Sequence, residues 1–365
     1  MSRDKDLTLL LSLWGRVPYT LRWLAYADSV RFPFKMLLAD GSNDADAKTV
    51  ENAVKAKGSF PHLDIDYVRY PEDKRPPDYF NKLEDAFSHI KTPFSCVGDN
   101  DDFPVPFGLA QCLDFMKKNE GYAACGGRYS GIYIDSGGVY GAPRFERRNP
   151  CWDITAPSAG ERMRAHFSRY QLTWYDVHPS ALHRSLYRRL KEAAPKDLFL
   201  MELLTSFLAA AEGRVKKLPI LTLIRQHGTP NTSSAQARER GDALGRMLQE
   251  NWSVDFAGFV DSVSRVIAQK DGISPGQASS LVREGYRRYS GKVLAKTLAA
   301  SSGPKKTTAL KGLLESALGP ERFERWRAKY NQSRIPLWAD PQDRSALTAV
   351  RDFLAAPESA RAQKA

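Results

Sequence analysis

The sequence predicts an α/β fold, an open and mostly parallel sheet, followed by an all-helical C-terminal region. Three observations carry this. From Leu7 to about Pro230 short apolar runs alternate with helical patterns, the signature of crossover units. Beyond Gly228-Thr-Pro-Asn-Thr-Ser-Ser the chain turns to long Arg-, Ala- and Leu-rich stretches without a strand signal. The length, 365 residues, exceeds what one hydrophobic core usually fills, about 250–300 residues, so a second body is expected: 1–230 as the sheet domain and 231–365 as the helical region.

Five strands open the chain: Leu7–Leu13, Lys35–Ala39, Asp66–Tyr70, Phe94–Val97 and Tyr122–Gly126. Between the third and fourth, Phe80, Leu83, Phe87 and Ile90 recur at helical spacing, which predicts a crossover helix over Tyr79–Ile90. A helix through Cys112 and Met116 precedes the fifth strand, and an apolar helix over Leu198–Ala211 ends at Gly213, a plausible C-cap. Val215–Ile224 then reads as a strand. The helical region breaks at Gly272–Gly276 and Ser301–Lys306.

No apolar run approaches the ~18–20 residues of a membrane span, so a soluble protein is expected. Acidic residues stand where a secretory signal would be purely basic, which predicts a cytoplasmic location. Cys96, Cys112, Cys125 and Cys151 form no CxxC pair, against a zinc site or a disulfide framework. The net charge of +12 predicts anionic partners: nucleoside diphosphates, lipid phosphates, a membrane surface or nucleic acid.

Chemistry concentrates in Phe94-Ser-Cys-Val-Gly-Asp-Asn-Asp-Asp-Phe-Pro-Val-Pro, where a buried strand ends in Asp99, Asp101 and Asp102. Crowded carboxylates repel unless a cation sits among them, and Mg²⁺ and Mn²⁺ commonly take one or two carboxylates plus phosphate oxygens. The same residues would also suit an acidic, solvated turn. A second strand ends in Asp40-Gly-Ser-Asn-Asp, so two strand ends point at the crevice where open α/β sheets bind ligands.

These motifs resemble the nucleotide-sugar glycosyltransferases of the GT-A fold, especially bacterial members of the large inverting family two. In that family an opening strand leads into a loop of the type Pro-Thr-Tyr-Asn-Arg-Pro, a second strand ends in Asp-Asp-Gly-Ser and a fourth in Asp-x-Asp-Asp. The counterparts here are Ser12-Leu-Trp-Gly-Arg-Val-Pro18, Ala39-Asp-Gly-Ser42 and Asp99-Asn-Asp-Asp102, in the same order, with Lys91-Thr-Pro-Phe94 before the last.

The resemblance implies a donor site of Arg16, Asp40, Asp99 and Arg225, and a metal site of Asp101, Asp102 and His227 taking Mn²⁺ or Mg²⁺. It implies a general base on the helix before Gly213, Glu202, with Asp197 in reserve; Met201 and Glu202 stand where the family often has Glu-Asp. The stretches Gly126–Tyr133 and His166–Tyr175 resemble substrate walls, with Arg128, Tyr129, Gln171 and Trp174 as cleft residues.

The implied activity is metal-dependent transfer of a sugar from a nucleotide diphosphate donor, a UDP-sugar favoured, to a glycan, glycolipid or protein acceptor in bacterial surface glycan synthesis, with inversion. Peripheral contact with the inner face of the membrane and a homo-oligomer through the C-terminal helices go with it, and nucleic acid is the disfavoured partner. Two other readings stay open. A sugar-phosphate nucleotidyltransferase would also need a metal between carboxylates, but Leu13-Trp-Gly-Arg lacks its Gly-rich loop. A basic nucleic-acid or membrane binder would use Arg283–Lys292 and Arg322–Lys329, with Tyr286, Tyr289, Phe323 and Trp326 among the charges, although such segments are more often solvated faces over a helical core.

Overall fold

The computed structural model describes residues 4–134, 138–146, 151–229, 243–301 and 340–356, with short pieces between 313 and 326. Strands β1 (Asp4–Leu13), β2 (Phe34–Asp40), β3 (Asp64–Arg69) and β4 (Phe94–Gly98) form a parallel sheet in the order β3-β2-β1-β4, and β8 (His178–Pro179) adds antiparallel to β4. β1 is buried on both faces, as its near-continuous apolar run requires. Leu7, Leu9, Leu11 and Leu13 enter one core with Met36, Leu38 and Cys96, while Leu10 joins Leu37, Ala39 and Val97 in the other.

The first of these cores is closed by α1 (Val17–Ser29), α2 (Asp44–Lys55) and α4 (Pro106–Lys118), through residues such as Trp23, Val50 and Leu113. The second is closed by α3 (Pro76–His89), α5 (Ala159–Ser168), α6 (Ser180–Ala193) and α7 (Leu198–Glu212). α9 (Trp252–Asp271) and α10 (Pro275–Ser301) pack into that same core, after the short α8 (Ala243–Met247). Gly272, at φ 66, caps α9 in the left-handed conformation, at the break the sequence predicts.

A second sheet runs β5-β9-β6-β7, from β5 (Phe103–Pro104), β6 (Tyr122–Ile134), β7 (Pro143–Phe145) and β9 (Arg214–Gln226), with β6 and β9 parallel. β6 continues well past its predicted end at Gly126, because the Gly126-Gly127 pair serves close approach rather than a turn. A Cβ at Gly126 would lie 1.8 Å from Oδ1 of Asp176, and one at Gly127 would lie 2.4 Å from the Ile220 carbonyl oxygen on β9. Gly213 does follow α7, but at φ −166 it is ordinary extended backbone rather than a left-handed cap.

Helix α11 (Pro341–Ala355) returns to the second sheet, where Leu347, Val350 and Leu354 pack with Tyr26, Phe103 and Ile224. Its buried Asp343 accepts a hydrogen bond from the Leu221 N–H at 2.8 Å. In the basic stretch of α10, Tyr286 is buried against Phe256, ring centroids 4.6 Å apart, while Arg287 and Arg288 are exposed. The aromatic residues there are core, and the charges are a solvated face. The second basic stretch lies partly outside the described residues; within them Phe323 is buried and Trp326 exposed. No helix among the described residues is long and apolar enough to cross a membrane.

Candidate functional site

The carboxyl ends of β1, β2, β4 and β9 are joined by side-chain contacts at one edge of the sheets. At the end of β2, Asp40 is fully buried; its Oδ1 accepts from the Ser42 N–H at 2.8 Å and its Oδ2 from the Tyr67 hydroxyl at 2.8 Å. Ser42 Oγ accepts from the Gly15 N–H at 2.8 Å, which ties the β2 turn to the loop after β1. Beneath them Lys82, 1% exposed, is paired with Asp73 and donates to the Leu13 carbonyl at 2.9 Å.

From the β1 loop Arg16 reaches Asp101, Nη1 to Oδ1 3.3 Å. Asp99 accepts from the Tyr175 hydroxyl at 2.6 Å, and Asp102 Oδ1 from the Gln226 N–H at 2.8 Å. Asp102 Oδ2 is buried without a hydrogen-bond partner. Burial, then repulsion from Asp101, raises the Asp99 carboxyl above its ordinary range and the Asp102 carboxyl well above it. Arg225 lies 5.6 Å from the Tyr175 ring centroid, and its guanidinium holds its proton more firmly than usual through Tyr175, Asp102, Glu202 and Asp99 against the opposing effect of burial.

Glu202 is half-buried on α7, and Tyr170 donates to its Oε1 at 3.1 Å. Burial raises its carboxyl, with Arg225 and the Tyr170 hydrogen bond opposing. Arg16, Asp99, Asp101, Asp102, Arg225 and Glu202 therefore form one electrostatic cluster. Asp40 joins it through Ser42 and Gly15.

Other expected residues stand elsewhere. Asp197 is the N-cap of α7, accepting from the Phe199 and Leu200 N–H groups at 2.9 Å each, which takes the reserve base into helix capping. His227 departs from the expected metal set: it tilts over Tyr133 at 5.2 Å and lies 3.5 Å from Glu146, because β9 turns its side chain toward Gly131. Among the described residues no three His, Cys, Asp or Glu side chains are arranged to hold a metal ion. Trp174 is buried core, edge-on to Tyr187 at 5.8 Å, rather than a cleft wall. Gln171 lines a cavity with its amide engaged: its Oε1 accepts from the Trp152 N–H at 3.1 Å and its Nε2 donates to the Trp152 carbonyl at 2.5 Å. Tyr129 lines a cavity beside Glu202, and Arg128 lies against Cys151 nearby.

One important residue was overlooked. Arg22, buried in α1, donates to the Asp101 carbonyl and to Gln226 Oε1 at 2.7 Å each, and so fixes the acidic turn to the end of β9. Burial pushes its guanidinium down to about 10. Its signal was present: a lone charge among the apolar residues of Leu21-Arg22-Trp23-Leu24.

No family model matches the sequence, and no curated protein does. Among solved structures, S. aureus TarS 1–349 in complex with UDP is similar at 13% identity over 98% of this chain and 92% of that chain, with a TM-score of 0.50. The same fragment in complex with UDP-GlcNAc gives 0.48 at the same identity and coverage. The mannosyltransferase PcManGT from Pyrobaculum calidifontis, in complex with GDP-Man and Mn²⁺, gives 0.36 at 12% identity over 96% of this chain and 87% of that one. What the TarS–UDP likeness establishes is architecture: a GT-A-like fold, a mostly parallel α/β sheet carrying a helical C-terminal region, as the order of the sequence motifs implies.

Proposed function

We propose that the protein is a glycosyltransferase that moves a sugar from a nucleoside diphosphate donor to an acceptor hydroxyl. One observation carries the reading: two arginines, three carboxylates and a raised glutamate from four separate segments interact with one another at the strand ends, where open α/β sheets bind ligands. The fold likeness to a protein crystallised with UDP supports a uridine diphosphate donor.

In this reading Asp40 takes the base or ribose, with its carboxylate held by Ser42 and Tyr67. Arg16 and Arg225 flank the diphosphate. Asp101 and Asp102 would hold a divalent ion carried in by substrate phosphates, Mn²⁺ or Mg²⁺: Asp102 Oδ2 is buried without a hydrogen-bond partner, and burial followed by repulsion from Asp101 raises its carboxyl, a repulsion that a bound cation would relieve. Such an ion, when bound, neutralises charge on the departing diphosphate. Glu202 takes the proton of the acceptor hydroxyl as that oxygen bonds to the anomeric carbon and the bond to the diphosphate oxygen breaks, which inverts the anomeric centre in one displacement. Residues 1–230 hold the donor in this scheme; of the region 231–365, α9 packs against α7 and α11 against β9. Bacterial surface glycan synthesis is the setting that the motif resemblance favours.

The test is a hydrolysis screen of nucleotide sugars with Mn²⁺ or Mg²⁺. Turnover of one donor, abolished in Asp101→Ala, is the expected result. Absence of turnover and of binding for every nucleotide tested overturns the reading.

A further inference from the structure

Beside Glu202 lies a cavity of about 200 Å³, walled by Tyr129, Trp152 and Tyr170 with Gly127, Gln171 and Lys217. Its wall reaches the proposed base directly, since the Tyr170 hydroxyl donates to Glu202 Oε1. The volume is below the ~300–1,000 Å³ of sites for drug-sized ligands, so it suits a single ring.

The walls are fixed in advance. Gln171 clamps both backbone polar groups of Trp152, the indole Nε1 donates to the Arg169 carbonyl at 2.9 Å, and the Arg169 guanidinium sits 3.8 Å from the ring centroid. Tyr170 is stacked on His166 and Phe207, at 5.3 and 5.9 Å. A ligand entering here finds its aromatic surfaces already ordered, which removes part of the entropic cost of binding.

The charge of the walls argues for a neutral occupant. Lys217 already donates to Asp176 Oδ1 at 2.7 Å and to the Leu172 carbonyl at 2.9 Å, and both ends of the Gln171 amide are engaged with Trp152. Among the described residues the other cations at these walls are also engaged, Arg169 over the Trp152 ring and Arg128 with the Cys151 thiol, so a phosphate would have to displace an existing contact. What remains is aromatic surface, which suits the C–H face of a sugar ring.

We propose that this cavity is the acceptor subsite and that it takes a pyranose ring, so that the acceptor is a glycan rather than an open-chain polyol or a protein side chain. The proposal rests on the glycosyl-transfer reading above. Gln171 acts in it as a positioning residue for Trp152.

Saturation-transfer NMR on the full chain with methyl glycopyranosides of glucose, galactose, mannose and N-acetylglucosamine, and with ribitol as the open-chain control, tests this without a donor. At least one pyranoside is expected to bind and ribitol to give no signal. Trp152→Ala is expected to weaken that pyranoside at least tenfold, Trp152→Phe to restore part of the affinity, and Gln171→Ala to weaken it while thermal unfolding confirms a folded chain. Failure of every pyranoside to bind, equal binding of ribitol, or unchanged affinity in a folded Trp152→Ala overturns the subsite. Binding that depends on Trp152, in a protein that turns over no nucleotide sugar, would instead leave the sugar cavity standing and remove the transfer reading.

Discussion

Arg16 holds Asp101 at 3.3 Å from a backbone in the left-handed region, φ 54 and ψ 40, at the entrance to α1. A side chain there costs about 1–2 kcal/mol, and such conformations concentrate where a ligand must be gripped. Two substitutions separate the backbone from the guanidinium. Arg16→Ala and Arg16→Gly should weaken nucleotide affinity equally, by at least tenfold, while the glycine variant is more stable than the alanine variant by about 1 kcal/mol. Calorimetric titration with UDP and thermal unfolding read the two effects. If the two variants unfold together, the backbone at this position stores no strain.

Glu202 bears on pH dependence. Burial raises its carboxyl, so the base becomes active only as pH rises past the ordinary glutamate range. The acid limb of kcat/KM for transfer should lie above that range and vanish in Glu202→Gln. The same substitution should lower kcat by about 10²–10⁴-fold and leave donor affinity intact. Weakened donor binding in Glu202→Gln would move this residue out of the role of base and into the donor site.

Asp102 sets function against stability. Its carboxyl is raised, by burial first and by Asp101 second, so the folded chain binds this proton more tightly than the unfolded chain. Between the ordinary aspartate range and the raised value the unfolded state carries fewer protons, and stability falls as pH rises through that window. Asp102→Asn keeps an acceptor for the Gln226 N–H and removes the charge. It should raise stability at pH 8 by about 1–2 kcal/mol, remove the fall of stability with pH above the ordinary aspartate range, and eliminate donor turnover. Thermal unfolding across that range checks the sign: a variant less stable than the parent at pH 8 would mean that the carboxylate is compensated in the folded state.

The strands and the acidic turn were legible because each breaks a local pattern, apolar runs on two-sided strands and carboxylates at a strand end, while the α7 glutamate was reached through the family resemblance. The pairing partners were not. Asp73 and Lys82 carry no pattern in the sequence that marks them, and only their burial together near Gly41 reveals them. Gln171 lies in an aromatic stretch that looks like a binding wall, yet its amide is spent on a backbone 19 residues away in sequence. Trp174 and Tyr175 are neighbours with opposite fates, one edge-on in the core and the other on Asp99, and alternation along an irregular segment cannot assign the faces. His227 follows a strand that does end at the site. The side chain nevertheless faces Glu146, a residue that no spacing rule connects to it.

Gly41 links the floor of the cleft to its chemistry, because a Cβ there would lie 2.6 Å from the Asp73 carboxylate. Asp73 is the partner of Lys82, whose ammonium is buried and also donates to the Leu13 carbonyl at 2.9 Å. Gly41→Ala must push Asp73 away and leave that ammonium uncompensated, at a cost of about 3–5 kcal/mol if the pair breaks fully. The loop after β1 and the β2 turn share the bond between the Gly15 N–H and Ser42 Oγ, so the disturbance reaches Asp40 and Arg16 together. The expected phenotype is a lower unfolding temperature with nucleotide affinity reduced at least tenfold. Replacing the pair outright, with Asp73→Asn and Lys82→Met in one chain, should recover much of the stability, since both buried charges are gone. Restoring stability to a Gly41→Ala chain by that double change, without restoring affinity, would separate the steric effect on the turn from the electrostatic one beneath it.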